Sequence, residues 1–467
     1  MSLRVTVPST YLPERNYVLQ TMLEGFLGLE CQVYPEARTD TRITLDGASG
    51  ELVVADGLFS IAETAWLGEA SIPKAPVGSF TPFRHGLSAK LVDATLPVLF
   101  DARRASCDWV ELSPGRCVLN FDPLGTAFFL LSRYEEVASP VRDPHDRFPA
   151  QADLAFRSGF LDRPLVDEYV EVLWAALSRL WPMLGRRAHS FRMVPTHDVD
   201  IPFQHAFTSA PRMLLSCGAD CIRRRDVPAA LRRIASWART KRGDPSADPA
   251  NTFDLLMDLS ERAGLVSEFN FIVDHTVAYY DAHYDIRHPW ILDLMRRIHD
   301  RGHRIGLHAS YGSYLDSTQT AREFGILRET CDRLGIRQHR WGGRQHWLRF
   351  RVPETFQNWE DAGLDFDSTL TYERTIGFRC GTCREYPVFN LRCRRRLRLT
   401  ERPTVVMDAS VTDSGTMNLG VGDAAAAAIR RIVERCRVVN GDCVILWHNS
   451  RLMRGEDIEL YRRALET

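Results

Sequence analysis

No window of this 467-residue chain approaches the length of a membrane-spanning apolar segment, and the start, Met1-Ser2-Leu3-Arg4-Val5, opens no apolar run of signal length. The eleven cysteines follow no framework of regular spacings. Together these absences point to a reducing compartment, and a cytoplasmic protein is expected. An excess of either charge is also missing: 59 Lys and Arg stand against 60 Asp and Glu, a formal net charge of -1. Nothing there argues for a nucleic-acid partner, and no long-range field would draw an anionic substrate. Internal repeats are absent, and the one low-complexity tract, Ala424 to Ala428, is simply good helix. Cys380-Gly381-Thr382-Cys383 lacks the second pair that a structural zinc site would need, and Cys393 alone does not supply it. The stretch 377–385 is instead expected as a loop at a pocket rim. There Arg379 would face an anionic or hydroxyl-rich ligand, a plain surface arginine being the alternative.

What is present is an ordinary globular composition, 45% hydrophobic and 25% charged, in a chain too long for one core. Residues 1–185 mix short strands at 43–45 and 51–54 with helices near 16–27 and 164–184, the second striped by Val170, Leu173, Leu177 and Leu180. An α+β accessory domain without a catalytic constellation is expected. From 186 to 467 strands and helices alternate, the rhythm of a parallel sheet with helices outside. One helix is fully legible: Pro289 opens it, Ile291, Leu294, Met295 and Ile298 stripe it, and Gly302 stops it. Residues 203–248 read as a basic helical insertion, with Arg223-Arg224-Arg225, Arg232-Arg233, Arg239, Lys241 and Arg242 beside Leu231, Ile234 and Trp237. Such a helix either keeps a solvated charged face or lies on an anionic inner-membrane surface.

Chemistry concentrates at strand ends. The apolar run 191–195 leads into Thr196-His197-Asp198-Val199-Asp200, and on an extended backbone Asp198 and Asp200 face one side. Two carboxylates that close repel unless a cation sits between or beside them. A turn capping the next helix is the alternative. His308 closes the strand after Gly302, with His303 read as structural at its start. His346 lies within Arg344-Gln345-His346-Trp347, and His448 closes the apolar strand 443–447, where a backbone-bonded histidine is the competing reading.

In this order the elements resemble those of the polysaccharide deacetylase family, the family 4 carbohydrate esterases. Its bacterial branch with an N-terminal accessory domain is closest, through Thr196 to Asp200, Ile305 to Tyr314, Arg344 to Phe350, Asp367-Ser368-Thr369-Leu370, Gly377 to Cys383 and Trp447-His448-Asn449. The first part joins the resemblance through Phe128 to Glu136 and Arg147-Phe148-Pro149. The resemblance implies an irregular (β/α) barrel of about seven parallel strands. It implies a metal-dependent hydrolase that removes an N-acetyl group from a sugar, glycan or glycan precursor, with a divalent ion, by default zinc. Asp198 is then the base, Arg344 its orienting partner and His448 the acid. Asp200 and His308 are metal ligands, Asp367 supports Arg344 or His448 unless it only caps its Asp-Ser-Thr turn, and Arg379 and Trp447 meet substrate. Gly312 stands where the family has the second histidine of its His-x-x-x-His pair. His346 is expected to replace it. The same fold could serve an esterase or amidase on another acylated substrate, or a binding protein with an impaired site.

Overall fold

The computed structural model describes residues 2–103, 108–222 and 225–466. Arg223 and Arg224 of the basic insertion lie outside the described residues. Two compact units result, Met1–Arg192 with Leu348–Val406 and Arg431–Val444, and Met193–Trp347 with Met407–Arg430 and Ile445–Thr467. Where the sequence suggests one break near residue 185, two later segments belong with the first unit.

The first unit carries a six-stranded sheet. Its strand Leu3–Pro8 pairs parallel with Cys31–Glu36 and antiparallel with Asp40–Leu45. Helix Leu165–Leu180 buries Tyr169, Val170, Leu173 and Leu177 along its length, the stripe read in the sequence. The same unit holds an antiparallel pair, Tyr386–Asn390 with Arg395–Glu401. The second of these strands alternates exposed arginines with buried Leu397 and Leu399.

In the second unit four strands run parallel: β1 (Arg192–Val199), β2 (Glu268–Phe271), β3 (Arg304–Ala309) and β4 (Gly342–Gln345). They pair side by side in the order β1-β2-β3-β4, four parallel strands where about seven are expected. Helices α1 (Ala210–Ile222), α2 (Val227–Lys241), α3 (Phe253–Arg262), α4 (Pro289–Asp300) and α5 (Ser317–Arg333) fill the intervals. Helix α4 buries Ile291, Leu294, Met295 and Ile298, and the positive φ of Gly302 ends it. A last strand, β5 (Asp442–Leu446), leads to His448.

Register decides which side chains meet. Asp198 on β1 stands opposite Asn270 on β2, which stands opposite Gly306 on β3. His308 stands opposite Arg344 on β4. Because these strands are parallel, all of their carboxyl ends open on one edge, where polar side chains can gather outside the apolar sheet. Gly306 is required there. A Cβ at that position would come 2.0 Å from Asn270 Oδ1.

Candidate metal centre

Alternation along β1 sends Asp198 and Asp200 to the same side, while His197 turns into the core. His197 is fully buried, and burial pushes its pKa down to about 4 although its Nδ1 donates to Trp447 O at 2.8 Å. It is a neutral core histidine. His303 is likewise structural, accepting from Ser267 N–H at 3.0 Å and reaching Glu261 at 3.3 Å.

Asp200, His308 and His346 bring one ligand atom each within 4.8 Å of one another. His308 Nε2 lies 3.2 Å and His346 Nε2 3.7 Å from Asp200 Oδ1. Each ring is fixed from behind. His308 Nδ1 donates to Arg344 O at 2.9 Å, and His346 Nδ1 donates to the Asp281 carboxylate at 3.2 Å. With both Nδ1 atoms protonated, both Nε2 lone pairs face Asp200, the arrangement found behind metal-bound histidines. Asp200 Oδ1 itself is buried without a hydrogen-bond partner. An orphaned carboxylate oxygen is costly unless a cation completes it. One carboxylate and two imidazoles suit a borderline divalent ion such as zinc, with a position left open for water.

The charges around this trio agree with it. Burial would raise the Asp200 pKa, yet His346, His308 and His448 hold it far below the ordinary carboxylate range. Burial opposes charge on His308, but Asp198 and Asp200 raise its pKa. The field that favours a proton there would favour a metal cation more.

On one side stands Asp198. Arg344 Nη1 donates to its Oδ1 at 2.8 Å and Asn270 Nδ2 at 2.9 Å, leaving Oδ2 3.7 Å from His308 Nε2. Despite burial, Arg344 and then His308 keep it ionised. On the other side stands His448, whose Nε2 is 3.6 Å from Asp200 Oδ2. Its Nδ1 donates to Asp408 at 2.8 Å, and Asp408 also accepts the His448 N–H at 2.7 Å. Burial works against the charged ring, but Asp408, Asp200 and Asp198 lift its pKa to about 9. A cleft of about 430 Å³ opens beside the trio, lined among others by Asp200, His346, Phe207, Tyr280 and Trp347.

Six expected site residues therefore converge: Asp198, Asp200, His308, Arg344, His346 and His448. Gly312 is explained as well. Its N–H donates to Thr276 Oγ1 at 2.7 Å, and a Cβ there would approach the Thr276 side chain at 2.9 Å, so no fourth-residue histidine fits.

Two expectations, Arg379 and Trp447 as substrate contacts, need correction. Arg379 is buried in the first unit, with Nε and Nη2 on Glu136 and Nη1 on Thr371 O, so its donors are spent within the protein and not on a ligand. Asp367 accepts from Thr369 N–H at 3.0 Å, the turn cap weighed as its alternative role, and the carboxylate on His448 is Asp408. Trp447 is buried, packed on Tyr461 with ring centroids 5.0 Å apart, and is not among the residues lining the cleft. Sequence reading missed Asp281, Asn270 and Asp408. Only Asp408 carried a signal, since it follows the apolar run 405–407 as Asp198 follows its own.

Residues 3–182 match a family of unknown function, DUF7033. No curated protein matches the chain. Among solved structures it is similar to a protein from Mycobacterium smegmatis assigned as a polysaccharide deacetylase, at 16% identity and a TM-score of 0.38, covering 60% of this chain and 84% of that one. It is also similar to Puue allantoinase, at 10% identity and a TM-score of 0.36, covering 59% and 83%.

Proposed function

We propose that the second unit is a metal-dependent hydrolase that removes an N-acetyl group from an N-acetylated sugar or glycan precursor of the cytoplasm. One observation carries the reading. Asp200, His308 and His346 present three ligand atoms to one point, with a carboxylate base candidate on one side and a raised-pKa histidine on the other. The (β/α) barrel of about seven strands and the accessory role of residues 1–185 belong to the same proposal, and the parallel run β1 to β4 supports it.

Asp200, His308 and His346 would hold a divalent cation, which polarises the acetamide carbonyl and lowers the pKa of the attacking water. Asp198 takes that water's proton on Oδ2, because Arg344 and Asn270 occupy Oδ1 and fix the carboxylate. The water oxygen adds to the carbonyl carbon. The C–N bond then breaks as His448 Nε2 gives its proton to the amine nitrogen, without which the amine leaves poorly. Asp408 keeps that ring oriented and charged beforehand. The aromatic side chains of the cleft, Phe207, Tyr280 and Trp347, offer faces for a sugar ring.

The test is elemental analysis of purified protein after zinc loading and dialysis, together with acetate release from N-acetyl and O-acetyl sugars. About one ion per chain is expected from a single-site trio, lost in His308→Ala and in His346→Ala, with acetate from the N-acetyl substrate. Wild-type protein that retains no ion overturns the reading in favour of a binding protein. Release from the O-acetyl sugar alone makes it an esterase.

A further inference from the structure

Sixteen large apolar side chains stand exposed among the described residues, and six of them fall between positions 214 and 234: Leu214, Leu215, Ile222, Val227, Leu231 and Ile234. All six lie on the hairpin of α1 and α2. That hairpin has its own small core, Met213, Cys217 and Ala230 with Trp237 packed against it. Leu215 and Ile222, seven positions apart, share the face of α1 turned away from that core. Val227, Leu231 and Ile234 follow i, i+4, i+7 along α2. A soluble surface seldom concentrates apolar side chains in this way without a use.

Charge says what the use is. Residues 203–248 contain nine Lys and Arg against four Asp, in a chain whose net charge is -1. Arg212, Arg225 and Arg242 are exposed with no ion-pair partner among the described residues. A second copy of this chain seated on the same face would bring like-charged guanidinium groups together, whereas phosphate headgroups would neutralise them. Placement adds a third argument. Phe207, Thr208 and Arg212, at the entry to α1, line the cleft that reaches Asp200 and His346, and at the same cleft Tyr279 is 86% and Trp347 39% exposed. Exposed Tyr and Trp rings suit the headgroup depth of a bilayer.

We propose that the α1–α2 hairpin docks on the surface of an anionic phospholipid bilayer, its apolar stripe at the acyl boundary and its free arginines among the headgroups, so that the cleft opens at the lipid–water interface. The segment lies on the membrane. Among the described residues no helix is long and apolar enough to cross one. The cleft would then take a substrate presented from the bilayer, an amphiphile with its polar head toward the metal centre.

The test is co-sedimentation of the full chain with vesicles of phosphatidylcholine alone and of phosphatidylcholine with phosphatidylglycerol. Wild-type protein is expected to partition at least about tenfold more strongly onto the anionic vesicles, less so as salt rises. The variant Leu215→Glu/Leu231→Glu/Ile234→Glu should lose at least about tenfold of that binding, with thermal midpoint and metal content unchanged because all three side chains are exposed. Arg225→Glu/Arg242→Glu should lose the preference for anionic lipid. Equal sedimentation of wild type and triple variant overturns the proposal. So does a wild type that ignores anionic vesicles, including one that light scattering shows as a dimer which the triple variant dissolves. Vesicle binding is read without substrate, so its failure leaves the hydrolase reading standing, and loss of metal leaves the docking proposal standing.

Discussion

Each unit of this protein buries a cluster of charges, and the two are finished differently. In the first unit Arg133 pairs with Glu136 at 2.8 Å and with Asp153 at 2.7 Å, and Arg379 binds Glu136 through two nitrogens. Tyr372 completes the set by donating to Asp153 at 2.5 Å. None of these five residues has a buried side-chain nitrogen or oxygen without a partner. Burial would raise the Glu136 pKa, but Arg379 and Arg133 bring it down to about 2. In the second unit Asp198 is completed by Arg344 and Asn270, yet Asp200 keeps an orphaned oxygen between two imidazoles. A closed network holds structure together. An open one reserves a place for something that is not protein.

The contrast can be broken at four points. His448→Gln should lower kcat by roughly 10² to 10⁴ with metal content unchanged, the size of a lost general acid; steady-state kinetics beside elemental analysis would show it. Arg379→Met should cost about 3–5 kcal/mol of stability by opening the closed cluster. Its activity per folded molecule should stay at the wild-type level, and a drop would return Arg379 to the substrate. Asp281→Asn should weaken zinc binding roughly 10 to 100-fold by releasing the His346 ring, measured by competition with a chelator.

The smallest effect is on pH. His448 donates only while protonated, so its raised pKa keeps the acid available at neutral pH and activity falls as pH rises through it. A cation on Asp200 cancels part of the field that lifts His448, so the alkaline limb should sit at or below about 9. Asp408→Asn removes the largest raising charge and should move that limb toward lower pH. A limb that does not move would separate Asp408 from the acid.

Much of the second unit was legible because its helices and strands keep clean periods, as α4 does with Ile291, Leu294, Met295 and Ile298. The strand-end histidines were legible for the same reason: an apolar run that stops on a polar residue marks where backbone leaves the core. Asp281 was not, since it sits in a loop with no period, and its value comes from accepting the N–H groups of Thr276, Val277 and Tyr311 at 2.7–2.8 Å. Asn270 was hidden by register, which no single strand reveals. Arg379 misled because an arginine in a Gly- and Cys-bearing loop reads as exposed. Its partner Glu136 lies 243 residues away.

The same non-locality has a bearing on how the protein matures. Asp200 follows β1, His308 lies on β3 and His346 follows β4, and Asp200 and His308 are 108 positions apart in the chain. If the trio holds an ion, no early turn or hairpin could capture it, and loading would wait until the parallel sheet has closed. On the proposed reading the ion would arrive late and lock a finished fold. Starved of it, the chain should still reach its native shape, only with less resistance to reopening.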